Sequence, residues 1–339
     1  MKSKEILCIA AIALAPHIAD AQSIDELYLA GKSEGLVTWY SVILGDEAAR
    51  PLARAFEARY PGIAVDYQRG NTQANASKII EEAKAGRPKG DVFDGSTTVV
   101  PLLKAGLVEP WMPPSASTIP ERYRDPNGYW SALLLEFLTV GYDADVVAPD
   151  EVPKSFEDLL NPKWRNRMVW SISPGLTGGA GFAGNILTAL GEERGLDYLT
   201  KLKGQNITAR SGDGHAVIEE MAAGKFPIGL QIFNHHTFLE RAKGNNIQWA
   251  RLEPVLGFSN NIGLVKGSLH PNAAKLFLNF VLSPEGQAII RDGRHIPASD
   301  SVDALEPSLK KGFRVNYVSP VIAAQKMASW QSIFASIFQ

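Results

Sequence analysis

Between residues 35 and 98 the chain repeats one pattern: a short β-rich run, small polar residues, then an amphipathic helix. "GLVTWYSV" is strand-like, and "DEAARPLARAFEARYPG" follows with Leu52, Phe56 and the stem of Arg59 near one helix face, closed by Pro61 and Gly62. "IAVDYQRG" alternates as a second strand, "ANASKIIEEAKAGRPKG" is helical up to Gly86 and Pro88, and "DVFDGST" is a third short strand. Such alternation predicts α/β architecture with mostly parallel strands. The strands end in Ser41, in Gly70, Asn71 and Thr72, and in Ser96, Thr97 and Thr98. Small polar residues just before helix N-termini leave backbone N–H groups free to meet an anion or a polar ligand, so together they outline the edge of a cleft. Taken singly, each is also an ordinary helix cap.

Further along, "EFLTVGYDADVV" is expected to cross between two units near residues 137 to 146, and a segment near 254 to 266 is expected to cross back. "PKSFEDLLNPKWRNRMVWSISPG" opens a second α/β unit, and "HPNAAKLFLNFVLSPEGQAII" is a further helical unit with Ala274, Phe277, Leu278 and Val281 at helix spacing. In "FPIGLQIFNHHTFLERAK" an apolar run stops at Asn234, His235 and His236 before a helical pattern. Neighbouring side chains of a regular strand point to opposite faces, so both histidines can converge on one ligand only if the strand has already ended.

A length of 339 residues leaves room for two domains. The formal net charge of −2, with Lys and Arg scattered, removes nucleic acid and anionic membranes as expected partners. Residues 1 to 21 carry the charged, apolar and small-residue regions of a secretory signal, with Ala19 and Ala21 fitting the cleavage site. The lone cysteine, Cys8, lies at the start of the apolar region, which disfavours a lipoprotein and means that cleavage leaves a mature chain held by core packing alone.

The chemistry-bearing motifs are few. "GAGFAG", Gly179 to Gly184, has the letters of a dinucleotide fingerprint, yet a helical segment stands where that fold needs a second strand ending in an acid. Thr177, Gly178 and Gly179 are better read as a turn whose backbone approaches a ligand at a helix start. His215 and Glu219, four apart on one helix face, are a weak metal pair. No nucleophile elbow, zinc-protease helix or Walker loop occurs, so no catalytic residue is assigned.

From about Gly35 to about Pro297 the chain resembles the ferric-ion-binding family of ABC-importer solute-binding proteins. The resemblance rests on "SKIIEEAKAGRPKGDVFDGST", "PKSFEDLLNPKWRNRM", "VIEEMAAGKFPIGLQIFNHH" and "GSLHPNAAKLFLNFVLSPEGQ". It implies a two-lobed type II periplasmic-binding-protein fold, a ligand cleft between the lobes, and delivery to an ABC permease in the inner membrane. The expected division is a signal peptide at 1–21, an N-terminal lobe at 22–136 and 256–305, and a C-terminal lobe at 137–255 and 306–339. Ferric members carry two adjacent tyrosines where His235 and His236 stand, and imidazole suits divalent ions better than Fe³⁺. The family's anion-holding turn corresponds to Thr177, Gly178 and Gly179, and its polar loop to Arg210 and Ser211. The expected function is capture of a small anionic or polar organic solute by Ser41, Asn71, Thr72, Ser96, Thr97, Thr177, Gly178, Gly179, Arg210, Ser211, Asn234, His235 and His236. In that reading the protein is a periplasmic, non-catalytic monomer without cofactor or bound metal, and the histidines donate hydrogen bonds to the anion, increasingly so as pH falls. Binding of a metal or metal complex is the alternative, and a periplasmic metal-dependent hydrolase a remote one.

Overall fold

The computed structural model describes residues 23–212 and 214–339, so the expected signal segment lies outside the described residues. The first part of the chain forms α1 (Ile24–Glu34), β1 (Leu36–Ser41), α2 (Asp46–Arg59), β2 (Ala64–Arg69), α3 (Thr72–Lys84), β3 (Val92–Gly95), α4 (Val99–Lys104) and β4 (Val108–Glu109). A long strand, β5 (Ser131–Asp143), leads to β6 (Met168–Ser171), α5 (Gly179–Leu190), α6 (Glu192–Lys203), β7 (Thr208–Arg210), α7 (Gly214–Ala222), β8 (Ile228–Phe233), α8 (Asn234–Ala242) and β9 (Ile247–Ala250). A second long strand, β10 (Val255–Val265), is followed by α9 (Pro271–Leu282), α10 (Pro284–Asp292), β11 (Ile296–Pro297), β12 (Val315–Tyr317) and α11 (Pro320–Phe338).

The strands share one sheet, in the order β2-β1-β3-β10-β5-β8-β6-β7. Two parallel groups, β2-β1-β3 and β8-β6-β7, flank the antiparallel pair β10-β5, which is the device that joins two parallel units. Two large apolar clusters lie on either side of this pair. Phe137 belongs to the first and Leu138 to the second, so β5 changes core within one step; β10 changes between Phe258, in the second, and Ile262, in the first, with Val255 at its start also touching the first. Leu309, Phe313 and Val315 still pack on the first cluster, beyond the boundary expected at residue 305, and Val318 is where the chain rejoins the second.

Local chemistry explains the main departures from expectation. The helical unit after His270 is two helices, α9 and α10. Pro284 has no N–H to continue the first, and the Ser283 hydroxyl accepts from the Gly286 N–H to start the next. Helix α1, not anticipated, begins with a capping box in which the Ser23 side chain and the Glu26 carboxylate satisfy each other's backbone N–H groups. The "GAGFAG" segment is the first half of α5 packed under α11. A Cβ on Gly179 would stand 2.1 Å from the Phe334 ring, and one on Gly184 2.3 Å from Trp330. These glycines let two helices touch.

Candidate functional site

A cavity of about 440 Å³ lies where α3, α4, α5 and α11 meet above β10. Its polar wall is Thr72 and Gln73 at the start of α3, Ser96 and Thr97 between β3 and α4, and Thr177 just before α5. Thr72, Ser96, Thr97 and Thr177 were all expected at the site, and the fold brings them to one cavity although they come from turns far apart in the chain. The N-termini of α4 and α5 have no side-chain cap. The first N–H groups of a helix have no intrahelical acceptor and carry the positive end of its dipole, so these turns present donors without presenting a full charge. The opposite wall is apolar: Val100, Leu176 and Phe258, with Ala323 and Met327 from α11.

Buried side chains hold these turns from behind. Asn261 Nδ2 donates to the Ser96 carbonyl at 3.1 Å, and Asn75 Nδ2 to the Ser41 carbonyl at 2.9 Å. Gln231 Nε2 donates to the Leu176 carbonyl at 2.9 Å, from a backbone in the left-handed region at φ 60°. A non-glycine residue held there indicates a strand end over-determined by its surroundings. Asp94 accepts from the Val42 N–H at 2.7 Å and from Trp39 Nε1 at 2.9 Å. Burial pushes its carboxyl up to about 6, with these hydrogen bonds pulling the other way. Ser173 continues the pattern: its N–H donates to Ser171 Oγ at 3.0 Å, and its hydroxyl lies 3.3 Å from Thr177 Oγ1.

The other expected residues take different places. Ser41 is fully buried behind the cavity. The Asn71 side chain caps α3, accepting from the Ala74 N–H at 2.8 Å. Gly178 is the extended N-cap of α5, and Gly179, buried against Phe334, owes its lack of a side chain to α11. Arg210 turns away to Glu220, Nε to Oε2 3.3 Å, with its guanidinium over the Phe226 ring; Ser211 is exposed. Asn234 Nδ2 ties the start of α8 to the Leu309 carbonyl at 2.7 Å.

The strand β8 ends at Phe233, so the histidine pair lies in the first turn of α8 and both rings pack beside Phe233, with centroids 5.6 Å and 4.9 Å from it. The His235 and His236 rings are 4.6 Å apart, His215 is 5.2 Å from His236, and His295 is 6.4 Å from His235. His295 follows α10 and stands 3.9 Å from the Glu47 carboxylate at the start of α2. His295 was not anticipated, because only the tertiary fold brings the α10 turn to this place. Burial holds His235 well below the ordinary histidine range, with His236 and His295 adding to the effect. His295 is lowered as well, mainly by burial. Burial therefore works against the expectation that His235 becomes a cationic donor just below neutrality, since it favours the neutral imidazole. His215 pairs with Glu219 at 3.2 Å, and among the described residues no three His, Cys, Asp or Glu side chains are placed to hold a metal ion.

Residues 87–319 match the family described as bacterial extracellular solute-binding protein. A Fe(3+)-binding periplasmic protein of Serratia marcescens is 26% identical over 240 residues, covering 68% of this chain and 69% of its own length. A periplasmic protein of Salmonella typhimurium strain LT2, proposed to bind 2-aminoethylphosphonate, is 24% identical over 310 residues, 86% of this chain and 83% of that one. Among solved structures, iron-bound HitA from Pseudomonas aeruginosa aligns with a TM-score of 0.71 at 24% identity, over 90% of this chain and 99% of that one. AfuA from Actinobacillus pleuropneumoniae, with fructose-6-phosphate bound, aligns at 0.68 and 20% identity, over 88% and 99%. At such identities the structures establish the fold, the two-lobed type II architecture.

Proposed function

Because the chain belongs to the bacterial extracellular solute-binding protein family, and so is a periplasmic binding protein of an ABC transporter, we propose that its cavity captures a small organic anion of the phosphonate, sugar-phosphate or carboxylate kind. The observation that carries this reading is the meeting of helix N-termini and hydroxyls at Thr72, Ser96, Thr97 and Thr177. Fixed N–H dipoles and hydroxyls stabilise an anion without the desolvation cost of a buried cation, and they are already oriented before the ligand arrives. The Gly178 and Gly179 backbone belongs to this set; Asn71, which caps α3, and Ser41, whose carbonyl accepts from Asn75, support it.

The working unit is a monomer with an N-terminal lobe at 22–136 and 256–305 and a C-terminal lobe at 137–255 and 306–339, the last stretch first running along the N-terminal core at Leu309, Phe313 and Val315 before it enters its own at Val318. Polar groups from the α3 and α4 turns face Thr177 across the cavity, so a bound anion bridges the lobes and favours their closure. The closed form is what an inner-membrane permease receives. Nothing in this reading asks for bond-making chemistry, and the role proposed is transport without catalysis.

Thermal melting against a panel of phosphonates, sugar phosphates, carboxylates and ferric citrate tests it. An organic anion should raise the melting temperature and should do so equally after chelator treatment. Stabilisation by ferric ion alone, with no response to any organic anion, would sink the reading. Capture of a metal or metal complex is the second reading. It is favoured by the buried His235 Nδ1 and His295 Nε2, which make no hydrogen bond among the described residues, and by Glu47, 3.9 Å from His295 Nε2. There the chelator would abolish binding.

A further inference from the structure

The cavity's two walls differ in kind, and the apolar one carries more information about the ligand. Among the described residues no Lys, Arg, Asp or Glu side chain lines it. A solute with an ammonium group would enter without a carboxylate to pair it, and one rich in hydroxyls would set them against Val100, Leu176, Phe258 and Met327, where they lose water and gain no partner. An aryl or compact alkyl group loses nothing there and gains by leaving water.

Helix α11 is what makes this wall. Ser319 caps it, with its hydroxyl accepting from the Ile322 N–H, and Pro320 fills its first position. Its buried stripe then runs through Ala323, Trp330 and Phe334. Phe334 and Phe338 meet Trp170 edge-on at 5.0 Å and 4.7 Å, and the glycines of α5 admit Phe334 and Trp330 to contact distance. The helix is thereby fixed against the element whose N-terminus faces the anion, and Met327, one turn before Trp330, is brought to the cavity. We infer that the solute is an anion bearing an apolar substituent, and that Met327 of α11 is the residue that reads that substituent. The inference rests on the organic-anion reading and narrows it, removing zwitterions and sugar phosphates from the expected ligands.

Titration calorimetry on the full chain with two matched pairs of probes tests it: phenylphosphonate against 2-aminoethylphosphonate, and benzoate against lactate, with glucose 6-phosphate as a fifth compound. In at least one pair the apolar member should bind tighter by roughly tenfold or more. Met327→Gln should shrink that ratio several-fold, and Met327→Leu, which keeps the apolar surface, should preserve it. Melting curves of both variants establish that they are folded, and Ala324→Trp, placed at the same wall, should independently weaken the apolar probe. A ratio near one or reversed, a ratio unmoved in Met327→Gln, or binding of glucose 6-phosphate alone overturns this inference and leaves the organic-anion reading standing. Failure of all five to bind, with ferric citrate binding instead, overturns both.

Discussion

His235 is buried with its charge disfavoured, and this gives the ligand-free protein a pH dependence of definite sign. In the unfolded chain a histidine takes up a proton near pH 6.5, while the folded chain keeps His235 and His295 neutral to lower pH. The unfolded state therefore binds more protons below that point, and stability falls as pH drops from about 7.5 towards 6, by up to about 1.4 kcal/mol per pH unit for each group. Asp94 acts in the opposite sense over a lower window: its carboxyl, raised to about 6, holds a proton that the unfolded chain has released, so stability declines as pH rises from about 4 to 6. Urea unfolding of the parent and of His235→Asn at pH 7.5 and 6.2 separates the two; the variant should show the shallower loss. An equal slope in both would mean that His235 is solvated. Thr177→Val, which keeps the shape and removes the hydroxyl, should weaken binding of the captured anion by about 1–3 kcal/mol in calorimetry. An unchanged affinity would take Thr177 out of the site.

Helices α5 and α11 offer a test in which propensity and packing disagree. Replacing glycine by alanine inside a helix stabilises by about 1 kcal/mol when nothing else changes. At Gly184 the new Cβ would meet the Trp330 ring at 2.3 Å, and overpacking of this kind costs about 1–3 kcal/mol. Gly184→Ala should therefore lower the unfolding midpoint, and adding Trp330→Leu should return part of the loss. A stabilised single variant would show that the helices can move apart freely. These two helices also mark how far the sequence could be read. The succession of β1, α2, β2, α3 and β3 is visible because α2, α3 and β2 each have one wet and one dry face, while β1 and β3, buried nearly throughout, show as short β-rich runs bounded by turn residues. Strand β5 is buried along most of its length, so it shows no alternation, and its start at Ser131 comes before the crossing expected near 137. The hydroxyls at Thr72, Ser96, Thr97 and Thr177 were legible because strand ends before helices have a local signature. Met327 and His295 were not, since each reaches its place through contacts between segments far apart in sequence. The stripe Ala323, Met327, Trp330 and Phe334 after the Ser319-Pro320 start was nonetheless there to be read as an amphipathic helix.

For the whole molecule the decisive geometry is the pair of antiparallel strands where both cores change over, at Phe137/Leu138 on β5 and between Phe258 and Ile262 on β10. A rotation there moves one apolar cluster relative to the other while leaving the inside of each intact, which is the hinge form of domain closure. Small-angle scattering should show a smaller radius of gyration at saturating solute than without it, and an identical profile would argue against closure. Saturation should also raise stability by mass action, by about 2.7 kcal/mol at a free concentration one hundred times the dissociation constant. A melting temperature independent of ligand concentration would contradict this.

Helix α1 lies against α9, with the Glu34 carboxylate accepting from the Asn272 N–H across 238 residues of chain, and α5 waits for α11 in the same way. Neither half of the molecule can finish its interior from a contiguous stretch, so a nascent chain emerging from the ribosome has no early piece able to fold and stay folded. For a polypeptide that must be threaded across the inner membrane before it can work, this delay is useful: the long-range pairings that slow its collapse also keep it in a form a secretion channel can pass. A version ending at residue 318 should remain open to protease where the full chain resists; equal resistance would show that the second apolar cluster closes without its last partner.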